Sequence, residues 1–185
     1  KATDQNKDDD SGSSTSSTSA GKPAESADEL VVTNHTVRTA DGTHLSYTAT
    51  SGRMVLRREE HTEDKFDGHL PKAEVFLTSY TLDDAPVAQR PVTFAFNGGP
   101  GSSSVWLHLG LLGPRLADSG DVGNLTPPPY GLVDNPHTLL AVSDLVFIDP
   151  VSTGYSRPAK GEKGAPFHGF EGDLESVGEV IWLWT

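Results

Sequence analysis

The sequence predicts an α/β protein: the N-terminal part of a mixed sheet with leading antiparallel strands, left incomplete. Three observations carry this prediction. Residues 30–80 have the texture of β-structure with hairpin signals. The stretch Val92 to Gly113 reads as a strand, a glycine-rich loop and a helix. A second apolar strand, Asp144 to Ile148, is followed by an amphipathic helix near the C-terminus.

The first 29 of the 185 residues contain no Val, Ile, Leu, Met or aromatic residue and are rich in Ser, Thr, Asp and Gly. Such a segment has nothing to bury and is expected to be a disordered leader or linker. Residues 30–185 are then the folded unit. The leader carries Lys1, Lys7 and Lys22 against seven acids, and the whole chain has a formal net charge of −12. A chain this acidic is a poor partner for nucleic acid or an anionic membrane surface. The first residue is Lys, with no apolar signal core ahead of the leader. This fits an exported protein whose signal has been removed, and equally a boundary chosen for the expressed chain. No apolar run is long enough to span a bilayer. Cysteine is absent, which excludes disulfides and a thiol nucleophile and leaves the compartment open.

Along the folded unit, Leu30 to Arg38 alternates loosely, Asp41-Gly42 signals a hairpin turn, and Leu45 to Leu56 resumes the β-pattern. The charged stretch Arg57 to Asp67 is expected to be a polar loop. Ala73 to Leu82 is a strand, with Val75, Leu77 and Ser79 on one face and Phe76, Thr78 and Tyr80 on the other. After a turn at Asp83 to Pro86, Val92 to Phe96 is read as a buried strand. Ser102 to Leu112 is expected to be helical, with Gly113 past its end and Pro114 as its stop. Glycines and prolines from Leu116 to Leu132 preclude regular structure there. Asp173 to Trp184 places Leu174, Val177, Ile181 and Trp184 on one stripe, with acids in the first turn where the helix dipole favours them.

The chemistry concentrates at Asn97-Gly98-Gly99-Pro100-Gly101. Three glycines in five residues free backbone amides to point outward, so a strand that ends there and enters a helix makes an anion or oxyanion site. A plain tight turn is the competing reading. The spacing is not G-x-G-x-x-G, Pro100 removes an amide, and no P-loop Lys follows, so a nucleotide site is disfavoured. An oxyanion loop of an acyl-transfer enzyme remains.

Four stretches in order strengthen that reading: Asn97-Gly98-Gly99-Pro100-Gly101-Ser102-Ser103-Ser104; Leu112-Gly113-Pro114; Asp134-Asn135-Pro136; and Asp149-Pro150-Val151-Ser152-Thr153-Gly154-Tyr155-Ser156 after the apolar run from Asp144. Together they resemble the N-terminal part of a serine carboxypeptidase of bacterial type, an α/β-hydrolase, from about Pro91 onward. The resemblance implies a peptide substrate with a free C-terminal carboxylate, a secreted, periplasmic or cell-envelope setting, and no cofactor. It implies that the Gly99 amide is one oxyanion donor and that Asn97, helped by the Gly98 amide, binds the substrate carboxylate. It also implies a Ser-Asp-His triad, which this chain does not supply. Gly101-Ser102-Ser103-Ser104-Val105 and Gly154-Tyr155-Ser156-Arg157-Pro158 both lack the second Gly of G-x-S-x-G. The nucleophile, acid and base are expected beyond Thr185, and the chain alone is expected to be inactive.

Two departures stand out: Ala95 where many members have Trp, and Leu111 where they have Glu. An acyltransferase of the same fold, or a truncated non-catalytic fragment, are the alternatives. Asp149 is given a structural or cleft-shaping role, because the triad acid follows the nucleophile in the α/β-hydrolase order. The seven histidines show no metal-ligand spacing, and His108 is expected to be packed or solvated on the helix after the glycine loop.

Overall fold

The computed structural model describes residues 27–98, 101–118, 120 and 126–185. The expected leader therefore lies almost entirely outside the described residues. The folded unit opens with an antiparallel meander of β1 (Glu29–Arg38), β2 (His44–Thr62) and β3 (Lys65–Leu82). The first turn is held by Asp41, whose Oδ1 accepts from the Thr39 hydroxyl at 2.5 Å and the Thr43 amide at 3.0 Å. This is the hairpin expected at Asp41-Gly42.

The second hairpin corrects the expected polar loop at Arg57 to Asp67. Strands β2 and β3 stay paired out to Thr62 and Lys65, with bulges between Leu56 and Arg57 and between Glu60 and His61. Only Glu63 and Asp64 turn, both at positive φ (50° and 61°), as a tight two-residue hairpin requires. Near the tip, the Phe66 ring lies edge-on to His61 at 5.7 Å and to His69 at 5.2 Å. The arm extends past the core into solvent, so neither of its faces needs apolar side chains and alternation disappears from the sequence. Cross-strand pairing supplies its order instead.

With β4 spanning Val92–Ala95 and β7 spanning Asp144–Ile148, the six-stranded sheet has the order β1-β2-β3-β7-β4, and the short β8 (Arg157–Pro158) pairs on β3. Strand β7 sits between β3 and β4, antiparallel to the first and parallel to the second. Every residue of β7 is buried, the result of cover on both faces. Leu145 and Phe147 pack with Val37, Tyr47, Tyr80 and Leu140 on one side. Val146 and Ile148 pack with Leu56, Val75, Leu77, Val177 and Val180 on the other. The architecture is a mixed sheet with few helices, of α/β type.

Insertion of β7 pushes β4 to the sheet edge. The expectation that Val92 to Phe96 is buried is corrected accordingly: of that stretch only Ala95 is buried, and Val92 and Phe96 are exposed. The segment entering β4 is anchored by Arg90, whose Nε donates to Asp144 Oδ1 at 2.6 Å while its other nitrogen donates to the Leu140 carbonyl.

Three further expectations are revised. The helix after the glycine loop starts at Val105, not Ser102; a single α-helical turn, α1 (Val105–Leu107), runs into a π-helical turn over His108–Leu112. The ends of the irregular 116–132 stretch pair as a ribbon, β5 (Arg115–Ala117) with β6 (Leu132–Asp134), joined by the Arg115–Asp134 ion pair. The last helix, α2 (Phe170–Trp184), buries Ser176, Val177 and Val180, with Ile181 and Trp184 packed beside them. Leu174 is exposed, because the first turns of α2 project toward a cleft and not over the sheet. Trp184 meets Phe94 edge-on at 5.6 Å, whereas Trp182 faces solvent.

Candidate active site

The loop that follows β4 is fixed from below by β7. Ser104, just ahead of α1, is buried; its amide donates to Asp149 Oδ1 at 2.7 Å and its hydroxyl donates to the Ile148 carbonyl. The reason Ser102 to Ser104 do not join the helix is this docking, which draws the backbone onto the end of β7. Asp149 thus spends its carboxylate on backbone amides: Oδ2 also takes the Tyr155 amide at 3.4 Å. The geometry suits the cleft-shaping role expected of it.

Gly154 is what allows the approach. A Cβ at this position would lie 1.8 Å from Asp149 Oδ2, and its φ is +46°. Ser156 completes the strut, donating from Oγ to the Asp149 carbonyl at 2.6 Å and accepting the Phe76 amide at 2.8 Å. The Asp134-Asn135-Pro136 stretch has a similar task. Buried Asn135 donates through Nδ2 to the carbonyls of Leu111 (2.9 Å) and Gly113 (2.8 Å), pinning the end of the π-helical turn.

Between these loops and the start of α2 lies a cleft of about 580 Å³. Its walls are Asn97, Gly98 and Gly101 from the loop after β4, Pro150 to Thr153 from the loop after β7, and Phe167 to Phe170 with Asp173 from the third side. Both predicted carboxylate-binding residues therefore face one cavity. Asn97 is half-buried and its side chain makes no hydrogen bond among the described residues; the space around Gly98 is open. Gly99, the predicted oxyanion donor, lies outside the described residues, as does Pro100.

The structure also brings together residues that sequence reading did not pair. Ser152 Oγ and His168 Nε2 are 3.0 Å apart across the cleft, and Ser152 holds φ at +73°, rare for a residue with a side chain. Beside them Thr153 is buried, and its Oγ1 is without a partner among the described residues. No spacing rule could have found this cluster, since it joins two irregular loops. Of the histidines, His168 is the one that lines the cleft.

His108 is packed, as expected. Its ring stacks on Phe147 at 4.6 Å, and Nε2 lies 2.5 Å from the Tyr80 hydroxyl. Burial pulls its pKa from 6.5 to about 4 and raises that of Tyr80, so both are neutral near pH 7 and the phenol donates to the imidazole. Among the described residues there is no group of three or more His, Cys, Asp or Glu able to hold a metal ion, and no helix is long and apolar enough to cross a membrane.

The cleft offers amide donors at one end and a hydroxyl, imidazole and carboxylate at the other, in a setting suited to binding a polar, extended ligand. A family model described as serine carboxypeptidase matches residues 71–174, just over half of the chain, from the middle of β3 into the first turns of α2. No curated protein matches the sequence.

Proposed function

Because the chain belongs to the serine carboxypeptidase family, a family of hydrolases acting on peptides, we propose that it supplies the carbonyl- and carboxylate-binding side of a serine-type carboxypeptidase site. The observation that carries this reading is the placement of Asn97 and Gly98 on the 580 Å³ cleft, with the Asn97 amide unengaged among the described residues.

In this reading Asn97 Nδ2 and the Gly98 amide donate to the terminal carboxylate of the peptide. That pairing is what turns an endopeptidase into an enzyme that removes C-terminal residues. The Gly99 amide donates to the carbonyl oxygen as negative charge develops on it, and losing one such donor costs about 10² to 10³ in turnover. The attacking serine, its base and its acid are assigned to no residue of this sequence. Ser152 and His168 are close enough to exchange a proton, and the hydroxyl is the side-chain partner that His168 has among the described residues. The setting proposed is secreted or cell-envelope.

The test is to treat the natural protein with a fluorophosphonate that labels activated serines, and to map the tag by mass spectrometry. A tag within a G-x-S-x-G segment supports the reading, together with a several-fold rise in KM of an Asn97→Ala variant for free-acid peptides. A protein that takes no label overturns it. Ala95 and Leu111, at positions where many members carry Trp and Glu, weaken the case for exopeptidase specificity, and the second reading is an acyltransferase of the same fold. That enzyme would pass the acyl group to an alcohol or amine in preference to water.

A further inference from the structure

Strand β1 lies at the opposite end of the sheet order from β4, which leads into the cleft. Its hairpin to β2 closes with the Thr39 amide donating to the Thr43 carbonyl, and the pairing then runs unbroken to Glu29 opposite Arg53. Odd-numbered residues of β1 therefore bond inward to β2, and even-numbered ones turn their N–H and C=O groups outward. Two outward groups at the C-terminal end are taken. The Thr36 carbonyl accepts from Arg115 at 3.1 Å, and the Arg38 amide donates to Asp134 Oδ2 at 3.2 Å. On the outward groups of Leu30, Val32 and Asn34 no strand pairs among the described residues.

Proteins ordinarily protect such an edge with Lys, Pro, a bulge or a covering segment. Residues 29–35 contain no Lys, Arg or Pro, and their register with β2 has no shift. They carry instead Leu30, Val31 and Val32, the last two 66% and 61% exposed. Consecutive residues point to opposite faces, so both faces of this edge are apolar and its ladder is open. An added strand would complete it.

We propose that β1 is a self-association edge, on which two copies of the chain pair antiparallel about Val32 and continue the sheet across a dimer. A two-fold axis perpendicular to the sheet joins two edges in that way. The free window starts with the strand at Glu29 and ends where Arg115 holds Thr36, so its centre is Val32. With the axis there, Val32 faces the second copy's Val32, and Leu30 faces the second copy's Asn34. All have outward backbone groups, so each free amide and carbonyl of the window meets a partner. On the other face Val31 meets Thr33, and Glu29 meets His35, acid to imidazole. Moving the axis toward Asn34 drives the second copy into Arg115. Moving it toward Glu29 leaves Asn34 beyond the end of the second copy's strand. Two chains of formal charge −12 repel at long range, but Glu29 is the one acid within the window, and salt screens the rest.

The experiment is sedimentation velocity of the full chain in about 0.15 M salt, where the Debye length is about 8 Å. Between about 1 µM and 300 µM the sedimenting species should shift from one chain to two, the span that a Kd of tens of micromolar fills. Val32→Pro removes an outward amide and no bond to β2, and Val32→Lys sets two like charges across the axis. Each, with its far-UV circular dichroism unchanged, should weaken association about tenfold or more. Val142→Lys, at an exposed valine away from β1, should not. The chain has no cysteine, so Val32→Cys introduces a single thiol. Facing Cα atoms of a hydrogen-bonded pair lie about 5.5 Å apart, within disulfide reach, and air oxidation with copper phenanthroline should link Val32→Cys into dimers far more than Val142→Cys. A chain that stays single throughout overturns the proposal. So does an association that survives both Val32→Pro and Val32→Lys, or equal cross-linking at the two cysteine positions.

Discussion

Asp149 Oδ1 accepts the backbone amide of Ser104 at 2.7 Å, so the residue that follows the central strand β7 holds the entrance of α1, some forty residues earlier in the chain, in place. Replacing Asp149 by Ala leaves that buried amide without an acceptor and should lower stability by about 2–3 kcal/mol. Asp149→Asn, which keeps a carbonyl in the same position, should lose less. Urea denaturation of the two variants gives the comparison, and equal losses would show that the charge, not the acceptor, matters.

Gly154 is constrained by the same carboxylate. A methyl group there would overlap Asp149 Oδ2 on a backbone already at positive φ, so Gly154→Ala should cost on the order of 2 kcal/mol or more. The pair is coupled. In an Asp149→Gly background the clash with the carboxylate is gone, and adding Gly154→Ala should destabilise less than it does in the wild type, measured as a double-mutant cycle. Strict additivity would mean that backbone conformation alone sets the cost.

His108 gives the fold a pH dependence whose sign is fixed by burial. Its folded pKa of about 4 lies below the ordinary 6.5, so between these values the unfolded chain binds the proton and the folded one does not. The contribution is complete above pH 6.5, is lost as pH falls from 6.5 toward 4, and amounts to roughly 2–3 kcal/mol over that interval. A His108→Gln variant can still accept from Tyr80 but cannot titrate. It should show a flatter stability profile across this range in thermal melts, and an unchanged slope would remove His108 as the source.

Arg90 and Asp144 form the most enclosed ion pair described, with side chains 11% and 7% exposed. Arg90→Ala strands a buried carboxylate and frees the Leu140 carbonyl, for an expected loss of about 3–5 kcal/mol. Adding Asp144→Asn should restore part of it, as the amide carries no charge to leave unpaired. Chemical denaturation of the single and double variants tests this.

The hairpin tip offers a change in the opposite direction. Glu63 and Asp64 both hold positive φ, which Asn and Gly adopt with less strain. Glu63→Asn with Asp64→Gly should stabilise the protein by roughly 0.5–1 kcal/mol, read from the denaturation midpoint. A loss would indicate that the Glu63 or Asp64 side chains make a contribution of their own.

The contrast between that hairpin and the glycine loop shows where sequence reading succeeds. Val75, Leu77 and the run Leu145 to Ile148 advertise their strands because burial leaves an apolar pattern. Asn97 and Gly98 are found because outward-turned amides demand glycine. The arm from Arg57 to Leu70 is a strand pair held mainly by backbone bonds and largely surrounded by solvent, so its residues carry little burial signal. Ser152 and His168, sixteen residues apart, meet only because Gly154 and Asp149 fix the loop after β7 beside the approach to α2. Tertiary placement of irregular chain has no local signature. The shift of the buried stripe on α2 away from Leu174 has the same origin, since periodicity gives a face but not how much of the helix lies over the sheet.

The position of β7 between β3 and β4 also orders events in time. While the ribosome is at work, the β1–β3 meander can form from neighbours in sequence, but β4 has no strand to pair with until residue 148 has emerged. For some fifty residues of synthesis Val92 and Phe94 wait beside an open sheet edge, the interval in which a nascent chain is most exposed to chaperones and to wrong partners. Slowing translation before Ile148 has left the ribosome should prolong that wait, and slowing it afterwards should not.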